Sequence, residues 1–142
     1  MATANVKIVL EDADGYTFRA EFPTGHQIKM DIPEESGGAD EGPRPMQVML
    51  AALGGCTGID VMSILNKMKQ PVEGYEIHIE ADQSEEHPKV YTEIRVTHVI
   101  KGDVEDDRAA RAVELSSEKY CSVSAQIKQE GTVESDYRLE SD

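Results

Sequence analysis

Three short runs near the start of the chain, 6–10, 16–22 and 26–32, are rich in β-branched, aliphatic and aromatic residues, with Asp14-Gly15 and Pro23-Thr24-Gly25 between them. Apolar runs joined by such short turn sequences predict an antiparallel three-strand meander. In the third run Ile28, Met30 and Ile32 alternate with Gln27, Lys29 and Asp31, which gives that strand one wet face and leaves the other needing a cover. Residues 36–45 carry Gly37, Gly38, Gly42, Pro43 and Pro45 and read as a loop, with Pro45 suited to the first turn of a helix. From 46 to 70 the residues are helix formers apart from the glycines. Val61, Ile64, Leu65 and Met68 share one side, opposite Asp60, Ser63, Lys67 and Gln70. The first half of this helix, 46–53, is apolar nearly all round and is expected to be buried on all sides. Pro71 is expected to end it.

The second half of the chain begins with two alternating runs, 75–81 and 90–100, joined by a polar turn over 84–88, and these predict a second hairpin. Asp103, Glu105, Asp106 and Asp107 mark a helix start, where the macrodipole favours negative charge. Ala109, Ala112, Val113 and Tyr120 are the expected buried side of that helix, and 132–139 alternates as a last strand. The order βββ, long α, ββ, α, β predicts an α+β fold in one domain over 1–142.

Charge then narrows the function classes. Twenty-eight acidic residues against fourteen Lys and Arg leave a net charge of −14, a field that repels phosphates and anionic lipid headgroups. Nucleic acid and membrane surfaces are therefore not expected as partners. The stretch 46–65 has no charge except Asp60, yet Gln47, Thr57 and Ser63 and three glycines interrupt it, so it reads as a buried helix of a soluble domain rather than a membrane span. The opening residues lack a basic segment before an apolar one, so a cytoplasmic location is expected, with both cysteines as thiols.

Those two cysteines, Cys56 and Cys121, are the candidate chemistry. Cys56 lies about three turns inside the long helix, so helix-terminal N–H groups cannot lower its pKa and only neighbouring side chains can. As a small core residue it would pack beside Gly54, Gly55 and Gly58. The run GGCTG over 54–58 also fits a nucleophile elbow with Cys for Ser, but no strand precedes it and no ordered acid and His follow. His26, His78, His87 and His98 are scattered and there is no Cys-x-x-Cys, so no metal is expected. The glycine-rich loop lacks the Lys and the strand-to-helix setting of a phosphate cradle. Cys121 lies near a helix break beside Lys119, Ser122 and Ser124, either as a reactive thiol or as a plain buried one.

The chain resembles the OsmC/Ohr family of thiol-dependent peroxidases. The likeness is carried by GPRPMQVMLAALGGCTGIDVMSIL over 42–65, HPKVYTEIR over 87–95 and AVELSSEKYCSVS over 112–124. It implies an intertwined α+β homodimer, with a long central helix holding the first cysteine and two sites at the interface. It implies that Cys56 is the peroxidatic thiolate and Cys121 the resolving thiol, with no cofactor and no metal. A hydroperoxide is the implied substrate and an external dithiol or lipoyl reductant the implied partner. One departure stands out: where peroxidase members carry a Glu paired with an N-terminal Arg, this chain has Met46, and neither Arg19 nor Arg44 lies in the usual motif. The alternative is a dimeric binding protein that uses the same interfacial pocket for an apolar or thiol-reactive ligand.

Overall fold

A computed structural model describes residues 3–129 and 131–140. The chain divides into two units, Met1–Ala52 and Leu53–Asp142, each taken by itself below.

In the first unit β1 (Lys7–Leu10), β2 (Phe18–Glu21) and β3 (Gln27–Met30) form the expected antiparallel meander in the order β1-β2-β3. The β2–β3 turn is closed by Gly25 N–H donating to the Phe22 carbonyl at 2.9 Å, with Gly25 left-handed at φ 89°. The register sets Ile8 opposite Ala20 and Ala20 opposite Ile28, so these share one face with Leu10, Phe18 and Met30. Ala20 is buried, but Ile8 is 49% exposed, and Leu10, Phe18 and Ile28 about as open. That face is therefore open at these positions.

Asp31, expected on the wet face of β3, is buried instead at 1% exposure. The strand ends one residue earlier, and the carboxylate turns inward to organise the loop that follows. It accepts hydrogen bonds from Thr17 Oγ1 at 2.6 Å, Ile32 N–H at 2.7 Å and Glu41 N–H at 3.1 Å. The Thr17 bond, against the desolvation, and the backbone N–H donors hold its carboxyl below the ordinary 3.8.

Helix α1 (Pro45–Lys67) runs from the first unit into the second, as the pattern predicted. It is long and apolar enough to cross a membrane by length and composition, and only 22% of its most apolar 18-residue window is buried. Leu53, Thr57, Val61 and Leu65 form its buried stripe. The expectation that 46–53 is buried on all sides does not hold: in that stretch only Leu53 is buried, and Ala51 and Ala52 are exposed. One small chain has too little other apolar surface to wrap a helix this uniformly apolar.

The helix stops at Lys67, before Pro71 could interrupt it. Lys69 adopts the left-handed conformation at φ 56°, its N–H donates to the Asn66 carbonyl at 3.0 Å, and Gln70 N–H donates to Leu65 at 2.9 Å. That pair of bonds is the Schellman closure, here built without the usual glycine.

β4 (Val72–Gln83) and β5 (Tyr91–Gly102) form the second hairpin, pairing Ile77 with His98 and Ile79 with Val96. A Cβ added at Gly54 would meet Ile79 Cδ1 at 3.2 Å and one at Gly58 would meet Ile77 Cδ1 at 3.0 Å, so these two glycines are where α1 lies against β4. Val61, Leu65 and Ala112 form the core, with Ile64, Val72, Tyr75, Ile100, Val104 and Val113 packed around them.

α2 (Asp106–Leu115) begins where the acidic run predicted, with Asp106 and Asp107 in its first turn. A π-helical turn, Ser116–Tyr120, follows, then α3 (Ser122–Lys128). The π turn adds a residue per turn and shifts the helical phase. Ser116, one regular turn after the buried Ala112, is buried, while Tyr120, expected on the buried side, lies beyond the shift and is 49% exposed with Lys119 Nζ 5.2 Å from its ring centre.

The last strand expected over 132–139 does not form. These residues pair with neither sheet, and Val133, Tyr137 and Leu139 are almost fully exposed. Alternation supplies a two-faced segment, but a strand exists only where another strand's N–H and C=O groups are offered to it. The fold is α+β: a meander, a long helix, a two-strand sheet and a short helical tail.

Two stability predictions follow from the loops. Because the Asp31 pKa is depressed on folding, its contribution is present above pH 3.8 and disappears as pH falls through the lower folded value. Asp31→Asn should lower the melting temperature at pH 7 and flatten its fall in acid; an unchanged acid profile would refute this role. Lys69→Gly should raise stability by up to about 1 kcal/mol, because glycine adopts φ > 0 without steric cost, less its larger unfolded-state entropy. Urea unfolding measures it.

Candidate dithiol site

The site lies within the second unit. On α1 the side chains of Cys56 and Asp60 are one turn apart and flank the buried stripe of Leu53, Thr57, Val61 and Leu65. Ser116, one regular turn beyond the buried Ala112 at the end of α2, lies against them. Ser116 Oγ donates to Asp60 Oδ2 at 3.2 Å, so its contact with Thr57 Oγ1 at 2.8 Å has Thr57 as donor. A relay of two buried hydroxyls thus ends on the Asp60 carboxylate.

Cys121 closes the arrangement. The π turn ends with Cys121 N–H donating to the Ser116 carbonyl at 2.8 Å, and Cys121 then caps α3, its Sγ accepting from Ser124 N–H at 3.4 Å. The two sulfur atoms and an Asp60 carboxylate oxygen all lie within 4.8 Å of one another. Cys56 is half-buried and Cys121 buried, both as free thiols. Burial pushes the Cys121 thiol up, the Ser124 N–H opposes this, and Cys56 and the Asp60 charge push it further.

A cavity of about 130 Å³ opens beside Cys121, lined by Leu53, Thr57, Val96, His98 and Val113 among others. A second, of about 470 Å³, shares Leu53, Val96, Ser117 and Ser124 with it and extends to Tyr91, Ile94 and Ile127. His98 Nδ1 sits 2.5 Å from the Tyr75 hydroxyl. Burial moves both in the direction of neutrality: Tyr75 is pushed up to about 12 and His98 down.

The structure therefore brings together the two cysteines named from the sequence. It adds Asp60, Ser116, Thr57 and His98, which the sequence reading did not assign to the site. Asp60 was visible as a helical neighbour of Cys56. Ser116 lies on the side of α2 marked by Ala109, Ala112 and Val113, whereas the inward turn of Cys121 depended on a π turn that no residue pattern announces, and the Tyr75–His98 diagonal on the hairpin register. The two candidate cations are engaged in the first unit. Arg19 pairs with Glu11 and Glu21 at 3.1 Å, and Arg44 with Asp40 at 2.6 Å. Among the described residues Asp60 has no ion-pair partner.

An α+β fold with two free thiols converging between its long helix and the helical tail defines a class of small dithiol proteins, and comparison with known proteins makes the class specific. The family profile described as OsmC-like protein matches residues 37–136. The chain is 39% identical over 127 residues to Protein YhfA of Escherichia coli K12, spanning 89% of this chain and 92% of that protein. A hypothetical protein from Aquifex aeolicus VF5 has the same fold, with a TM-score of 0.77 and 36% identity over 90% of this chain and 89% of its own. An organic hydroperoxide resistance protein OsmC from Legionella pneumophila is similar in fold alone, at a TM-score of 0.64 and 18% identity over 90% and 92%. The chain belongs to the OsmC-like family.

The electrostatics predict an order of labelling. A thiol alkylating reagent at pH 7.5 should modify Cys56 before Cys121, as peptide mass spectrometry would show. Asp60→Asn removes a charge that disfavours the Cys121 thiolate, so it should speed Cys121 labelling. Equal rates in the two proteins would refute the coupling.

Proposed function

We propose that this protein reduces hydroperoxides through Cys56 and Cys121. The observation that carries the reading is the approach of the two sulfur atoms to within 4.8 Å, in a chain of this family. Neighbours in fold named as organic hydroperoxide resistance proteins, from Legionella pneumophila and Elizabethkingia anophelis, support it. Cys56, the more accessible thiol, meets the oxidant. Its thiolate attacks the distal peroxide oxygen and the O–O bond breaks. Cys56 becomes a sulfenic acid, and the other oxygen takes a proton to leave as alcohol, or as water when the substrate is hydrogen peroxide. The Cys121 sulfur then attacks the sulfenic sulfur, a disulfide forms and water departs. An external dithiol or lipoyl thiol pair restores both thiols and is itself oxidised to a disulfide.

The working form is a homodimer in the cytoplasm. The openness of α1 and of the meander face supports this: Ile59 on α1 is 74% exposed, and a second copy of this chain is the cover that such faces call for. An interface of this kind buries more than about 2,000 Å². A second reading, a dimeric protein that binds an apolar or thiol-reactive ligand without turning it over, is favoured by one feature: Met46 stands where peroxidases of the family carry their activating Glu.

Peroxide consumption by the reduced protein, with a dithiol supplied, separates the two readings. Cys56→Ser should abolish it, because a serine hydroxyl without a strong base is not ionised at neutral pH. Cys121→Ser should give one turnover and stall as sulfenic acid, and the wild type should lose two thiols per chain to one equivalent of peroxide. A rate no better than free cysteine would favour ligand binding. Sedimentation tests the dimer, and a concentration-independent mass of 15.6 kDa would overturn it.

A further inference from the structure

We propose that the reduced cluster of Cys56, Asp60 and Cys121 is also a binding site for one thiophilic divalent cation, of which zinc is the type. Three donor atoms, two sulfurs and a carboxylate oxygen, lie within 4.8 Å of one another, a spread that one ion at about 2.0–2.3 Å from each can span with small side-chain adjustments. Two thiolates with a carboxylate select a borderline-soft ion over magnesium or calcium, which prefer oxygen throughout.

Two further observations point the same way. Asp60 is supported as ligating carboxylates are: Oδ2 accepts from Ser116, which accepts from Thr57, while Oδ1 makes no hydrogen bond among the described residues. Among the described residues Asp60 forms no ion pair, and Lys67, which lines the same cavity of about 350 Å³ outside Asp60, makes none with it. Groups that repel one another when charged are reconciled by a cation between them, and the net charge of −14 raises the cation concentration near the protein.

Binding exchanges two S–H bonds for two S–metal bonds. The protons leave to solvent and no electron moves. The ion and an oxidant need the same two sulfur atoms, so each excludes the other.

Cobalt(II) alone, added to the reduced full-length protein without peroxide, tests the proposal independently of whether the protein reduces peroxides. Thiolate-to-cobalt charge-transfer absorption should grow to one ion per chain and be displaced by zinc. It should be absent from wild-type protein alkylated at both thiols and from Cys56→Ser and Cys121→Ser. Asp60→Asn should keep the band but weaken affinity about tenfold or more, because a neutral amide oxygen replaces a charged carboxylate ligand. No charge-transfer band at stoichiometric cobalt overturns the proposal, and so does a band undiminished in Cys121→Ser. The alkylated wild type keeps the test decisive if a serine variant fails to fold.

Discussion

The contact on which the structure depends is the seat of helix α1 against β4 through Gly54 and Gly58. Absent side chains at these positions let Ile79 and Ile77 reach the helix backbone, with no room for a further methyl without movement. Helix glycines cost roughly 1 kcal/mol each relative to alanine, so close packing is what offsets their presence here. The contact fixes the rotation of α1 about its axis. With Gly54 and Gly58 toward the hairpin and Leu53, Thr57, Val61 and Leu65 inward, Cys56 and Asp60 fall on the opposite flank of the buried stripe. That flank meets the π turn and Cys121. The arrangement of the dithiol site is thus a consequence of which helix residues have no side chain.

The same rotation leaves the rest of α1 unsatisfied. Gly55 has open space around it and Ile59 projects into solvent, and in the first unit the apolar side of the meander is similarly open. These open apolar faces stand on a protein whose net charge is −14. The same open apolarity gives α1 a composition like that of a membrane-crossing helix.

Chemically, the site sets nearby groups against one another. Burial and the negative charge of Asp60 disfavour the Cys121 thiolate, while one backbone N–H from α3 favours it. Such a balance disfavours the thiolate of the more deeply placed sulfur. The hydroxyl relay from Thr57 through Ser116 holds the Asp60 carboxylate in position within a mostly apolar surround. Neutral Tyr75 and His98 add no compensating charge nearby.

Residue pattern alone determined much of this protein. The meander, the long helix, the second hairpin and the acidic start of α2 were legible because each rests on local periodicity, turn residues or the helix dipole, and the pair Cys56 and Cys121 was legible from motif likeness. Where pattern failed, the deciding force came from elsewhere in the chain. Asp31 alternates like a surface residue, yet Thr17 and two loop N–H groups bury it. Tyr120 has helical spacing, yet a π turn rotates it outward, and 132–139 has strand alternation without a strand to pair with. The approach of the two sulfurs was expected only through that likeness, and that a carboxylate joins them was not expected, because it needs the glycine-set rotation of α1 and the phase shift between Ser116 and Cys121 together. Local sequence fixes which face of an element is apolar; only tertiary packing decides what that face, and the groups along its margin, come to touch.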